Sequence, residues 1–283
     1  MLSRTLSAVG KLLAGYLSQP SRRYMPVATS DPIRLAMVLR PADVLLVEGN
    51  TRFSTAIKYL TQSTWSHAAL YVGPIPGLPV EDEKDPPVLI EADVVLGVRA
   101  VQLSVYAAMH TRVCRPVGLS DEDRQRLVAF AISSIGKTYD LKNIVDLARY
   151  LLPTPPIPSR WRRRMLSLGS GEPTKAICSS LIAQAFQSIS YPILPQISVR
   201  PAPTPECNDC VEEYYRIRHH SLYAPRDFDI SPYFDVVKPA LEGEFDYHAL
   251  RWDTIEDDPG EGAHRLAPAD TWRRLPISRS RSS

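Results

Sequence analysis

Short apolar segments alternate with turn residues from about residue 32 onward, and this pattern is typical of strands. Five segments are predicted as strands: 44–47, 68–72, 88–92, 97–103 and 111–116. Because they follow one another along the chain with mostly short links, we expect them to form an antiparallel sheet. The loop at 74–87 is rich in proline and acidic residues, which predicts an exposed insertion between two of these strands.

Apolar positions at helical spacing become the main pattern after residue 120. Ser120 is a predicted N-cap that is followed by three acidic residues, and further helices are expected at 54–60 and 143–152. The helix predicted at 176–189 is the most informative, because five of its residues recur on one face: Cys178, Leu181, Ile182, Ala185 and Phe186. The chain then becomes rich in proline, and order is expected to resume at 225–237.

The composition is that of an ordinary globular protein, with 44% hydrophobic and 23% charged residues in 283. A net charge of +2 is too close to neutral to indicate nucleic-acid binding. No apolar run reaches the ~18 residues that a membrane-spanning helix needs. The four cysteines are too few and too unevenly spaced for a disulfide scaffold, which favours a reducing compartment and a cytoplasmic location.

The chain is predicted to divide into a leader segment at 1–31, one catalytic domain at 32–240 and a partly disordered extension at 241–283. Within the domain, 74–87 and 153–175 are predicted loop insertions. Apolar residues at helical spacing in the leader predict an amphipathic helix, and 160–164 is a basic cluster. Peripheral membrane contact through 1–19 and 160–164 is one interpretation of these two segments, and a solvated surface is the other.

Three residues have the types that a cysteine hydrolase requires: a thiol, a base and a group that orients the base. Cys178 stands at the start of a predicted helix, where the helix dipole lowers a thiol pKa and unpaired N–H groups favour an oxyanion. His67 opens the second predicted strand, and Glu91 lies in the third. If these strands pair, the imidazole and the carboxylate share a face. The alternatives are a packed thiol, a structural histidine and a structural ion pair.

The motifs around these residues resemble those of the NlpC/P60 superfamily, and their order resembles its circularly permuted papain-like branch, the YaeF/YiiX-type amidases. The matching segments are 41–46, the histidine strand 65–73, the acidic strand 89–98, the helix start 177–182 and the downstream segment 225–234. The resemblance implies an α+β fold with a small antiparallel sheet or half-barrel packed on the helix that carries Cys178. It also implies Cys178 as the nucleophile, His67 as the base and Glu91 as the orienting residue.

The activity that this resemblance implies is hydrolysis of an amide bond through a thioester, without cofactor or metal. The expected partner is a peptide or a small amide, with cell-wall and lipid compounds among the options. A lipid-directed acyltransferase or phospholipase similar to lecithin:retinol acyltransferase is a second interpretation, and a non-catalytic binding module is a third. Cys207 and Cys210, with His219 and His220 nearby, superficially resemble half of a zinc site. The alternatives are a loop with incidental thiols and a redox-sensitive pair that forms a disulfide.

Overall fold

A computed structural model of the protein describes residues 32–80, 82–93, 96–137, 177–202 and 209–239, together with Gln19, Ala28 and Cys207. Several predicted features lie outside these residues: the leader helix, the helix at 143–152, the insertion at 153–175 with its basic cluster, and the extension at 241–283. The predicted division of the chain into leader, domain and extension therefore stays a prediction.

The described residues contain eight strands, which form a large sheet and a separate ribbon. They are β1 (Val44–Glu48), β2 (His67–Tyr71), β3 (Pro87–Asp93), β4 (Gly97–Gln102), β5 (His110–Pro116), β6 (Gln196–Pro201), β7 (Val211–Arg216) and β8 (Phe234–Val237). Six of them make one antiparallel sheet in the order β4-β3-β2-β1-β5-β8. The antiparallel sheet predicted from the sequence is confirmed, and all five predicted strands lie in it.

In the same part of the chain, five helices accompany the strands: α1 (Pro32–Val38), α2 (Arg52–Thr61), α3 (Asp121–Ser133), α4 (Ile177–Ser188) and α5 (Pro225–Asp229). The Ser120 hydroxyl caps α3 by accepting a hydrogen bond from the backbone N–H of Asp123, as the sequence predicts. Helix α4 is the predicted helix at 176–189, and it packs against β2, β3 and α3. The α+β architecture is therefore confirmed. No helix within the described ranges is long and apolar enough to cross a membrane.

The sheet is buried on both faces, because apolar residues of each strand alternate between two hydrophobic clusters. The first cluster joins Ala68, Leu70 and Ile90 of the sheet to the apolar face of α4. The second cluster contains Leu45, Ala69 and Leu89 of the sheet, the α1 residue Leu35, and Tyr106 from the short 3-10 turn Leu103–Tyr106. The sequence of a strand that is buried on both faces is a continuous apolar run and does not alternate with polar residues. Strand β1, whose five residues are all buried, is an example.

The ribbon of β6 and β7 was not predicted, because every one of its side chains is exposed and the segment has no buried face to give a pattern. Cys207 and Cys210 lie just before β7 and form a disulfide with a Cα–Cα distance of 5.5 Å. Sulfurs bonded to each other are not thiolate ligands, so this structure does not support the zinc half-site. Among the described residues, no group of three or more His, Cys, Asp or Glu side chains could hold a metal ion.

Candidate active site

His67 and Glu91 lie on the same face of two neighbouring strands. His67 is the first residue of β2, and the register pairs Ala69 of β2 with Glu91 of β3. Alternate residues of a strand share a face, so the imidazole of His67 is a diagonal neighbour of the Glu91 side chain. The antiparallel pairing of these two strands is what joins residues that are 24 positions apart in the chain.

The His67 imidazole is hydrogen-bonded to the Glu91 carboxylate. The distance between Nε2 of His67 and Oε2 of Glu91 is 2.5 Å. The Glu91 side chain is only 5% exposed and that of His67 is 23% exposed, so the carboxylate is shielded from water while the imidazole has an open side. A carboxylate in this position fixes the orientation and the tautomer of the ring.

Two further residues hold the Glu91 carboxylate, and neither was predicted as part of the site. The Tyr106 hydroxyl donates a hydrogen bond to Oε2, the oxygen that also bonds His67. The Arg99 guanidinium contacts Oε1 through Nε at 2.9 Å and Nη2 at 2.7 Å. Arg99 stands directly opposite Glu91 on β4, so a cross-strand pair could have been found from the hairpin register. The 3-10 turn that carries Tyr106 left no comparable signal in the sequence.

These contacts keep Glu91 ionised. Burial by itself raises the pKa of this carboxyl, but the hydrogen bond and charge of His67, the Tyr106 hydroxyl and the charge of Arg99 outweigh it and lower the pKa of Glu91 to about 2. Both Glu91 oxygens are then acceptors only. Nε2 of His67 therefore carries the proton that it donates to Glu91, and in the neutral ring Nδ1 is the atom with a lone pair.

Cys178 is the second residue of α4, and its side chain lies outside the described part of the structure. The helix start itself is anchored, because the buried Ser179 hydroxyl donates to the Tyr223 carbonyl oxygen at 2.7 Å. The apolar face of α4 packs in the first cluster, whereas Tyr106 and Ala69 belong to the second. A contact between Cys178 and His67 would therefore be made at the tip of α4 and not through its apolar face. The contact between the Cys178 sulfur and the His67 ring stays a prediction.

A comparison with protein-family models agrees with the resemblance drawn from the motifs. Residues 38–150 match the family model described as a permuted papain-like amidase enzyme of the YaeF/YiiX type. The matched segment contains His67, Glu91, Arg99 and Tyr106 and ends before Cys178. The match bears out the resemblance to permuted papain-like proteins over these residues, which make up less than half of the chain. The match also supports a hydrolase of the amidase class.

One solved structure to which the chain is similar is the crystal structure of metalloprotein yiiX from Escherichia coli. The two sequences are 16% identical, and the alignment covers 76% of this chain and 98% of that one with a TM-score of 0.39. No curated protein matches the chain.

Proposed function

We propose that the protein is a thiol-dependent amidase in which Cys178 is the nucleophile, His67 the general base and acid, and Glu91 the residue that orients His67. The observation that carries the proposal is the hydrogen bond between the part-exposed His67 imidazole and the buried Glu91 carboxylate. A structural ion pair would explain a buried carboxylate, but it would not require an imidazole with one side open to solvent. General acid–base chemistry requires that opening.

The tautomer of His67 determines which atom exchanges protons. Because Nε2 donates to the ionised Glu91, the proton of the Cys178 thiol is transferred to Nδ1, which gives a thiolate and an imidazolium. Glu91 stabilises the imidazolium by its negative charge and stays ionised throughout. Tyr106 and Arg99 keep the carboxylate in the orientation that accepts from Nε2.

The reaction then has two halves. The thiolate attacks the amide carbonyl carbon, and the backbone N–H of Cys178 at the start of α4 helps to hold the negative charge on the oxygen. The C–N bond breaks as Nδ1 gives its proton to the leaving amine, which leaves a thioester. Water then loses a proton to Nδ1 and attacks the thioester, and the carboxylic acid departs as the thiolate returns.

A peptide or a small amide is the substrate class that fits this chemistry. Hydrolysis of lipid amides or esters by the same thiol is the alternative. Its supporting segments, 1–19 and 160–164, lie outside the described residues except for Gln19. A substrate screen separates the two, because a lipid-directed enzyme would require vesicles or micelles for turnover. If the protein is instead a non-catalytic binding module, neither substrate class should be turned over.

The test is amide hydrolysis by the wild type and by Cys178→Ala, with a panel of peptide and acyl amides in the presence and absence of lipid vesicles. We expect turnover by the wild type and a loss of at least about 10³-fold in Cys178→Ala. The double variant Cys207→Ser/Cys210→Ser is the matched control. It removes two other sulfurs, which form a disulfide beside β7, and it should keep the wild-type activity. Wild-type turnover by Cys178→Ala would refute the assignment of the nucleophile.

A further inference from the structure

We propose that Asp229 is a positioning residue that fixes the start of β2, and with it His67, by binding the indole of Trp65. The inference rests on the function proposed above, in which His67 is the base. Asp229 ends the short helix α5, 138 positions beyond Glu91, and lies outside the segment that matches the family model. It acts on His67 through Trp65, two residues earlier in the chain.

The Trp65 side chain is held from three directions. Its Nε1–H donates to Oδ2 of Asp229 at 3.0 Å, and Oδ1 of the same carboxylate accepts from Nη1 of Arg112 at 2.6 Å. The Arg112 guanidinium also lies 5.0 Å from the centroid of the indole, and His110 stacks on it at a centroid distance of 5.0 Å. Trp65 is only 3% exposed, and a buried indole N–H without an acceptor is unfavourable. Asp229 supplies that acceptor.

Ser66 is fixed by a second and independent set of contacts. Its hydroxyl accepts from the backbone N–H of Gly49 at 2.9 Å, and its own N–H donates to the Val47 carbonyl at 3.1 Å. Gly49 leaves room for this approach, because a Cβ there would lie 3.1 Å from the Ser66 hydroxyl oxygen and 2.3 Å from that of Ser54. Both residues before His67 therefore have fixed side chains, one tied to β1 and one tied to α5.

The position of the His67 backbone matters because the imidazole has to serve two partners. Its Nε2 must reach Glu91, and its Nδ1 must reach the thiol at the tip of α4. A displacement of about 1 Å at the start of β2 would break one of these alignments, and such displacements lower rates by up to ~10²-fold. Arg112 and Asp229 thus contribute to catalysis without contacting the reacting atoms.

The experiment compares Asp229→Ala, Asp229→Asn and Trp65→Phe with the wild type. We expect kcat to fall about tenfold or more in Asp229→Ala and Trp65→Phe, with KM changed by less than about twofold. Asp229→Asn should recover part of the rate, because its one amide oxygen can still accept from Nε1 of Trp65 while its amide nitrogen cannot accept from Arg112. The ¹⁵N and ¹H signals of the His67 imidazole should shift in the first two variants and shift by less in Asp229→Asn.

A comparison of Arg112→Met with Arg115→Met separates a positioning role from a purely structural one, with Arg115→Met as the matched control. Both arginines lie on β5 and pair with a carboxylate, but Arg115 binds Asp43, near the opposite end of β2 from His67. We expect both variants to lower the melting temperature and only Arg112→Met to lower kcat per folded molecule. Equal losses of kcat in the two variants, or a kcat in Asp229→Ala within about twofold of wild type, would overturn the proposal.

The two proposals fail in different ways. If the wild type hydrolyses no amide, the proposed function fails, and the His67 signals alone decide the role of Asp229. Shifted signals in Asp229→Ala then support it, and unchanged signals reject it. If the wild type is active and Asp229→Ala keeps both its rate and its His67 signals, only the positioning role is wrong.

Discussion

Each residue of the candidate site gains its chemical role from its neighbours. Glu91 would be an expensive residue to bury alone, because an unpaired carboxylate in an apolar sheet is strongly unfavourable. Three donors, from His67, Tyr106 and Arg99, remove that cost. The sequence indicates that a partner for Glu91 must exist, and it offers His67 as one candidate. It does not reveal Tyr106, whose hydroxyl reaches Glu91 only through the fold.

The Tyr106 hydroxyl is expected to set the acid limit of activity. Tyr106→Phe removes one of the hydrogen bonds that lower the pKa of Glu91, so this pKa should rise from about 2 towards the ordinary value of 4.5. The acidic limb of kcat/KM should move to higher pH by about one unit, which a pH–rate profile measures.

Tyr71→Phe is the control for this variant, since Tyr71 lies on β2 and packs against the same cluster without bonding Glu91. We expect its acidic limb to coincide with that of the wild type. An unchanged limb in Tyr106→Phe would show that this hydroxyl does not tune the carboxylate.

The ionised Glu91 should also make folding stability depend on pH. Its pKa in the folded chain is about 2, below the 4.5 of an unperturbed glutamate. Its contribution is therefore fully present above pH 4.5 and is lost as the pH falls towards 2. Urea unfolding should show the wild type more stable than Glu91→Gln by about 2–3 kcal/mol at pH 6, with a smaller difference at pH 3. A difference that is independent of pH would contradict the depressed pKa.

At the scale of elements, the sequence predicts well wherever a segment buries a face. The five predicted strands of the large sheet and α4 all contact a hydrophobic cluster, and each leaves an apolar pattern of the right period. The ribbon of β6 and β7 was missed for the opposite reason, since all its side chains are exposed. Helix α1 was missed as well, because it is short and buries only Leu35.

The ribbon should behave as a unit that is independent of the large sheet. Cys207→Ser/Cys210→Ser removes the disulfide beside β7, so the amides of β6 and β7 should exchange hydrogen faster, by about tenfold or more. Because the ribbon buries no core, the free energy of global unfolding should change by less than about 0.5 kcal/mol. Hydrogen exchange followed by mass spectrometry measures the exchange of the ribbon amides, and urea unfolding measures the free energy of global unfolding.

Faster exchange throughout the six-stranded sheet of that double variant would contradict this independence. The single variant Val199→Ala, which removes an exposed side chain of β6 and leaves the disulfide intact, is the control for a simple change of the ribbon surface.

At the scale of the whole molecule, the fold brings together residues that no local pattern connects. Strand β1 comes first in the large sheet by sequence but lies between β2 and β5, so the order of strands could not be read from the chain. The pairing of β2 with β3 could be expected, and it was enough to place His67 near Glu91. The link from Asp229 to Trp65 spans 164 positions and depends on the complete fold.

The central claim is that this fold brings the Cys178 thiol to His67, and the rate of its alkylation by iodoacetamide as a function of pH tests that claim directly. Without reductant, Cys207 and Cys210 are held in their disulfide. Cys114 is fully buried, and burial raises the pKa of its thiol to about 12, so it serves as an unreactive internal control. Peptide mapping assigns the label to each cysteine.

We expect Cys178 alone to be labelled, with rapid alkylation persisting to about pH 6, well below the ordinary thiol pKa of ~8.5. In His67→Ala the midpoint of the alkylation rate against pH should return to about 8.5, because the imidazolium that stabilises the thiolate is gone. An ordinary midpoint for Cys178 in the wild type, unchanged in His67→Ala, would contradict the account.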